Sequence, residues 1–144
     1  MDISKKNILI LGSDGMIGHQ ILLGLLKENF LINAHFKKKK HKQDFFKAEN
    51  LNSYFFEITT LNIEDFLSKI NPDIIINAAG ITTRRIDEAS MRQIIFTNSI
   101  LPNILNTWSE KNNCKLIHFS TDCVFSGEKG NYKDNDKTDA TDIY

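Results

Sequence analysis

A doubly wound parallel α/β sheet of about five strands is the fold class this sequence predicts. Strand-like apolar runs alternate with helical patterns along the chain, a glycine turn joins the first strand to the first helix, and Ile74-Ile75-Ile76 is apolar throughout. Such an uninterrupted run suits a central strand covered on both faces, and the alternation suits strands joined by crossover helices. The strands are expected at Asn7 to Leu11, Leu31 to Phe36, Ser53 to Glu57, Asp73 to Asn77 and Lys115 to Ser120. Helices are expected over Met16 to Glu28, Ile63 to Ile70 and Ala89 to Lys111. Pro102 restricts the residue before it, so the last helix is expected to kink or restart there.

The turn after the first strand reads Gly12-Ser13-Asp14-Gly15-Met16-Ile17-Gly18 and runs into the helical pattern Ile21, Leu22, Leu25, Leu26. Strand, glycine turn and helix in that order form the Rossmann-like fingerprint. Its glycines allow a tight turn, approach of backbone amides to a pyrophosphate, and close packing of helix on strand. The helix N-terminus then offers unpaired amides and the positive end of its dipole. The plain alternative is a glycine-rich turn that binds nothing.

With 144 residues the chain fits a single domain, expected here over 1–144. Eighteen basic and eighteen acidic residues cancel, so no overall field argues for nucleic acid or an anionic membrane. No run approaches the ~20 apolar residues of a membrane helix, and the polar start does not read as a signal peptide. A cytoplasmic protein is expected. Cys114 and Cys123 have neither metal-ligand spacing nor the numbers for a disulfide framework, and no metal site is expected.

After the second strand, where an NAD-selective unit carries a carboxylate for the ribose hydroxyls, the chain reads His35-Phe36-Lys37-Lys38-Lys39-Lys40-His41-Lys42. Cations stand in place of the acid. Lys37 leads the candidates for an adenosine 2′-phosphate, so NADP (as NADPH) is favoured over NAD (as NADH), while the remaining lysines read as a solvated loop. At the ends of the fourth and fifth strands lie Asn77-Ala78-Ala79-Gly80 and Ser120-Thr121-Asp122-Cys123-Val124-Phe125-Ser126-Gly127. Small residues at Ala78, Ala79 and Gly80 let a nicotinamide ribose lie against backbone, and the hydroxyls of Ser120 and Thr121 suit a substrate carbonyl. Small residues also serve close packing, and Ser or Thr after a strand also closes turns. The polar stretch after Gly127 reads as a surface loop over a site.

The Gly12-x-x-Gly15-x-x-Gly18 spacing, Asn77-Ala78-Ala79, Asn98, Ser120 to Gly127 and Asp142-Ile143-Tyr144 together resemble the extended short-chain dehydrogenase/reductases. Within them the likeness is to the dTDP-4-dehydrorhamnose reductase group of sugar-nucleotide reductases, over the whole chain. The resemblance implies reduction of a keto group on a nucleotide-linked deoxysugar, in cell-surface polysaccharide synthesis. It implies that Thr121 binds the carbonyl oxygen with Ser120 beside it, and that Tyr144 donates the proton. Asn62 and Ile63 fall where the family places an acidic and an apolar residue near adenine. Asn98 falls where a helix supports the active-site geometry. Arg84 and Arg85 are candidates for a substrate phosphate. Cys123 stands where many relatives have tyrosine. His118 reads as a packed strand residue.

In this family a lysine four residues after the tyrosine favours the phenolate and aids the proton relay. The chain ends at Tyr144, so the expectation is the N-terminal, cofactor-binding part of a longer reductase with a homodimeric full-length form, and negligible turnover by this chain alone. Two alternatives stand beside it: a non-catalytic dinucleotide-binding regulatory subunit, and a sugar-nucleotide epimerase or dehydratase, for which Asp122 is a candidate acid or base.

Overall fold

The computed structural model describes residues 5–37, 48–82 and 89–141. Five parallel strands, β1 (Asn7–Leu11), β2 (Leu31–Phe36), β3 (Leu51–Phe55), β4 (Ile74–Asn77) and β5 (Lys115–His118), form one sheet in the order β3-β2-β1-β4-β5. Among the described residues four α-helices accompany them: α1 (Met16–Leu25), α2 (Ile63–Ile70), α3 (Met91–Ile95) and α4 (Leu101–Lys111). This is the Rossmann-like α/β architecture the sequence predicts. The strand order reverses between β1 and β4, and there a crevice opens outside the carboxyl ends of the strands.

Alternation along β1 builds both halves of the core. Leu9 and Leu11 face one side with Ile75, against Ile63, Phe66, Leu67 and Ile70 of α2 and Leu101, Leu105 and Trp108 of α4. Ile8 and Ile10 face the other with Ile32, Ala34, Phe36 and Ile76, against Leu22 of α1. Each fully buried Leu or Ile contributes about 1.5–3 kcal/mol, so two covered faces hold the central strands firmly. Of the two buried polar residues on β2, Asn33 and His35, Asn33 is satisfied: it donates to Asn7 Oδ1 at 2.6 Å and accepts from Asn52 and from the Tyr54 hydroxyl.

Several boundaries differ from the sequence expectation. β3 begins two residues earlier, because pairing of Ile32 with Leu51 sets its register. β5 ends at His118, the partner of Asn77, because its ladder to β4 runs out there. His118 is exposed on this edge strand and not packed as expected. α1 tightens after Leu25, where Lys27 and Glu28 bond carbonyls three residues back.

The expected break at Pro102 takes a specific form. Residues Phe96–Ile100 form a widened π turn between α3 and α4, in which the Leu101 N–H reaches the Phe96 carbonyl five residues back. Pro102 lacks an N–H for the usual bond, and the wide turn absorbs that loss while the helix continues.

Candidate functional site

The glycine turn is built by exclusion. Gly12 has φ +79°, and a Cβ there would lie 2.8 Å from the Ala79 Cα; a Cβ on Gly18 would collide with the Gly12 carbonyl oxygen. The turn is stitched down by Ser13, whose N–H donates to the His35 carbonyl at 2.9 Å and whose hydroxyl donates to the Ile10 carbonyl at 3.2 Å. Gly15 sits in extended backbone at the N-cap of α1, with no side chain bonded over the helix end. The first-turn amides of Met16 and Ile17 therefore face outward, beneath largely exposed side chains. This is the arrangement that receives an anionic group at a helix N-terminus.

Opposite the turn, the chain leaves β4 under the control of a fully buried Asn77. Its Oδ1 accepts from the Ala79 N–H and its Nδ2 donates to His118 Nδ1, both at 3.2 Å, while the Ala78 N–H donates to the Leu11 carbonyl at 3.0 Å. Ala78 and Ala79 are thereby pressed against Gly12, and Gly80 and Ile81 continue along the same wall. Asn98, in the π turn, clasps Ile81 at both backbone polar atoms.

Between these walls lies a cleft of about 650 Å3, lined by Gly12, Asp14, Gly15, Lys37, Ala78, Ala79 and Gly80 among others. That size suits a small-molecule or cofactor site. The structure thus brings the glycine turn, Lys37 and the small residues after β4 together. The lining also includes polar residues that the sequence does not single out, among them His35, Glu57 and Gln93. Glu57 pairs with Lys37 at 3.1 Å and accepts from Gln93 at 3.2 Å. Gln93 forms a capping box with Ser90, and the Ser90-x-x-Gln93 spacing was the signal that could have found it. His35 is buried, so desolvation lowers its pKa from the ordinary 6.5, against the opposing effects of the Phe56 carbonyl and the Asp14 charge. Its Nε2 lies 2.8 Å from that carbonyl and must carry the proton, which leaves Nδ1 a buried acceptor without a partner. A second cleft of about 450 Å3, between α2 and α4, shares no residue with the first.

Several expected site residues stand elsewhere. Ser13 is fully buried in the turn and Ile63 in the core. Asn62 spends its side chain locally, accepting from the Thr59 N–H and donating to the Glu57 carbonyl, so neither it nor Ile63 lines the cleft. Ser120 and Thr121 follow β5 outside the cleft lining. The half-buried Thr121 caps a short 3-10 turn (Asp122–Val124), its Oγ1 accepting from the Cys123 N–H at 3.1 Å. That bond uses a lone pair and leaves the hydroxyl proton available to donate.

The loop after Gly127 folds back on Asp139, which accepts from both the N–H and the hydroxyl of Ser126; these bonds hold its carboxyl below the usual range. None of its residues lines the cleft. The exposed Cys123 lies with its Sγ 3.7 Å from an Asp122 carboxylate oxygen. Tyr144, Arg84, Arg85 and the lysines after Lys37 in the basic run lie outside the described residues. Among the described residues no group of three or more His, Cys, Asp or Glu is placed to hold a metal ion, and no helix is long and apolar enough to cross a membrane.

The donor set fits a dinucleotide: a turn without room for a Cβ, open helix amides for a pyrophosphate, and small residues walling the cleft. The fold defines a Rossmann-like α/β protein. The chain belongs to the RmlD substrate binding domain family, whose model matches residues 6–144. No curated protein matches it.

Among solved structures it is similar to a hypothetical dTDP-4-dehydrorhamnose reductase from Sulfolobus tokodaii, with 27% identity and a TM-score of 0.75 over 96% of this chain and 47% of that one. ADP-L-glycero-D-manno-heptose-6-epimerase from Helicobacter pylori shares the fold, with 16% identity and a TM-score of 0.77 over 100% of this chain and 49% of that one. So does the Bordetella bronchiseptica enzyme WbmG, solved with NAD and UDP, with 18% identity and a TM-score of 0.76 over 98% of this chain and 46% of that one. The chain spans about half the length of these structures.

Proposed function

We propose that this chain is the cofactor-binding part of a sugar-nucleotide reductase, acting on a keto group of a nucleotide-linked deoxysugar of the dTDP-4-dehydrorhamnose kind. The observation that carries the reading is the Gly12 turn, locked against Ala78 and Ala79 at the strand-order reversal, with the open N-terminus of α1 beside it. The sequence likeness to the hypothetical dTDP-4-dehydrorhamnose reductase from Sulfolobus tokodaii supports the reaction class.

On this reading the first-turn amides of α1 take the pyrophosphate, Ala78, Ala79 and Gly80 border the nicotinamide ribose, and Asn98 holds that wall through Ile81. Lys37 at the cleft favours NADPH over NADH. The nicotinamide, when bound, supplies the hydride for the keto carbon. Thr121, its oxygen fixed by the Cys123 N–H, donates its proton to the keto oxygen in a hydrogen bond, with Ser120 beside it. Tyr144 delivers the proton to that oxygen, the role implied by the family likeness.

Titration of NADPH and NADH into the protein and into a Gly15→Asp variant tests the reading. Gly15 is an N-cap in extended backbone, where aspartate is a favourable residue, but a Cβ there stands 3.3 Å from the Gly12 carbonyl oxygen, so circular dichroism checks that the variant folds before its loss of binding is read as a carboxylate against the pyrophosphate. Saturable binding that the variant abolishes is expected, with NADPH the tighter ligand. Absence of saturable binding to folded protein overturns it.

A further inference from the structure

The carboxylate missing from the end of β2 is supplied in space by Glu57, which follows β3. Asp14, Lys37, Glu57 and Gln93 come from four places in the fold and line one cleft. Glu57 Oε1 lies 3.1 Å from Lys37 Nζ and accepts from Gln93 Nε2 at 3.2 Å. Gln93 is itself oriented by the capping box: its Oε1 accepts from the Ser90 N–H at 3.0 Å and its own N–H donates to Ser90 Oγ at 3.3 Å. That fixes the carbonyl end of the Gln93 amide on Ser90 and turns its NH2 toward Glu57. On the other side, the Lys37 backbone N–H donates to Asp14 Oδ2 at 3.3 Å.

The Lys37 ammonium is therefore already engaged by the Glu57 carboxylate, while Asp14 holds the Lys37 backbone. A 2′-phosphate on the adenosine ribose must take Lys37 from Glu57 and stand near its negative charge. A 2′-hydroxyl has no such conflict, because it donates to a carboxylate. The ion pair is 48% exposed at Lys37 and 54% at Glu57, so it is weakly held and can exchange for another anion.

We propose that Glu57 sets how strongly the cleft favours a 2′-phosphorylated dinucleotide over its 2′-hydroxyl counterpart, by competing with the phosphate for Lys37 and offering its own carboxylate to the ribose. The proposal rests on the dinucleotide reading of the cleft. It makes Glu57 a selectivity residue that tempers the preference Lys37 confers.

The test is fluorescence titration of NADPH and NADH into the wild-type protein and Glu57→Gln, with circular dichroism as the check on folding. Glutamine keeps an acceptor for Gln93 and removes the charge. The ratio of NADPH to NADH affinity is expected to rise at least about fivefold, and the rise to shrink as salt is added. A ratio within twofold of wild type, with both cofactors still bound, overturns the role of Glu57 and leaves the dinucleotide reading standing. Binding of neither cofactor to wild type overturns both. Should Glu57→Gln not fold, Glu57→Asp carries the test, because the shorter arm keeps the charge and loses reach to Lys37. A rise of about twofold then supports the proposal, and an unchanged ratio overturns it.

Discussion

Asn98 clasps the backbone of Ile81 from both sides, accepting its N–H at 2.9 Å and donating to its carbonyl at 3.0 Å. One amide side chain thus does for a loop residue what a neighbouring strand would do. It does so from the π turn that Pro102 requires, so the proline and the cleft wall are linked through one residue. Asn98→Leu leaves both Ile81 groups without this partner and is expected to cost about 1–3 kcal/mol. Asn98→Asp keeps the acceptor and loses the donor, and should fall between. Thermal melts followed by circular dichroism check the order; a leucine variant that melts with wild type would show that the clasp holds nothing.

Glycines in and beside the turn should respond in opposite directions. Gly12→Ala meets Ala79 backbone at 2.8 Å in a positive-φ position, and Gly18→Ala meets the Gly12 carbonyl, so both are expected to yield little folded protein. Gly24, inside α1, has nothing within 4 Å of an added Cβ. There alanine removes only the backbone entropy penalty, and Gly24→Ala should gain about 0.5–1 kcal/mol, or roughly 2–4 °C in melting temperature. Soluble yield and melting temperature decide both expectations.

That contrast also explains what was legible in the sequence. The turn could be read because glycine is the one residue that fits at Gly12 and Gly18, and α2 because its apolar face ends at Asn71, which adopts φ 45°. β3 was displaced by two residues because it is half-exposed and takes its register from β2, not from its own alternation. Glu57 therefore reads from the sequence as the last strand residue and not as the partner of Lys37, which lies twenty positions earlier, just past the end of β2. The sequence does not mark His35 as a site residue, because burial, which gives it its character, is a property of the packed sheet.

His35 makes stability fall on the acid side of neutrality. Burial holds its imidazole below the ordinary pKa of 6.5, while the Asp14 charge and the Phe56 carbonyl pull weakly the other way. As pH drops through about 6.5 the unfolded chain takes up a proton that the folded chain refuses, so the folded state is disfavoured. The loss stops growing once the pH passes below the folded pKa. His35→Gln retains a donor for the Phe56 carbonyl and has no proton to gain. Urea unfolding at about pH 7.5 and pH 5.5 should therefore show a smaller drop for the variant than for wild type. Equal drops would remove His35 as the cause.

Asn77 is the remaining point at which stability and site meet. It is fully buried, and its two amide atoms hold Ala79 on one side and His118 on the other. The wall of the cleft and the edge strand β5 are thereby tied through one side chain. Asn77→Ala leaves the Ala79 N–H without that acceptor and opens space at a fully buried position, at an expected cost of about 1–3 kcal/mol. Because Ala78 and Ala79 then lose their fixed distance from the glycine turn, dinucleotide affinity should fall even well below the melting temperature. Asn112→Ala, which removes the bond from the Asn112 side chain to the Trp108 carbonyl at the end of α4, away from the cleft lining, should lower stability and leave affinity within about twofold. Parallel melts and NADPH titrations of the two variants separate these effects, and equal affinities for both would mean that Asn77 supports the fold alone.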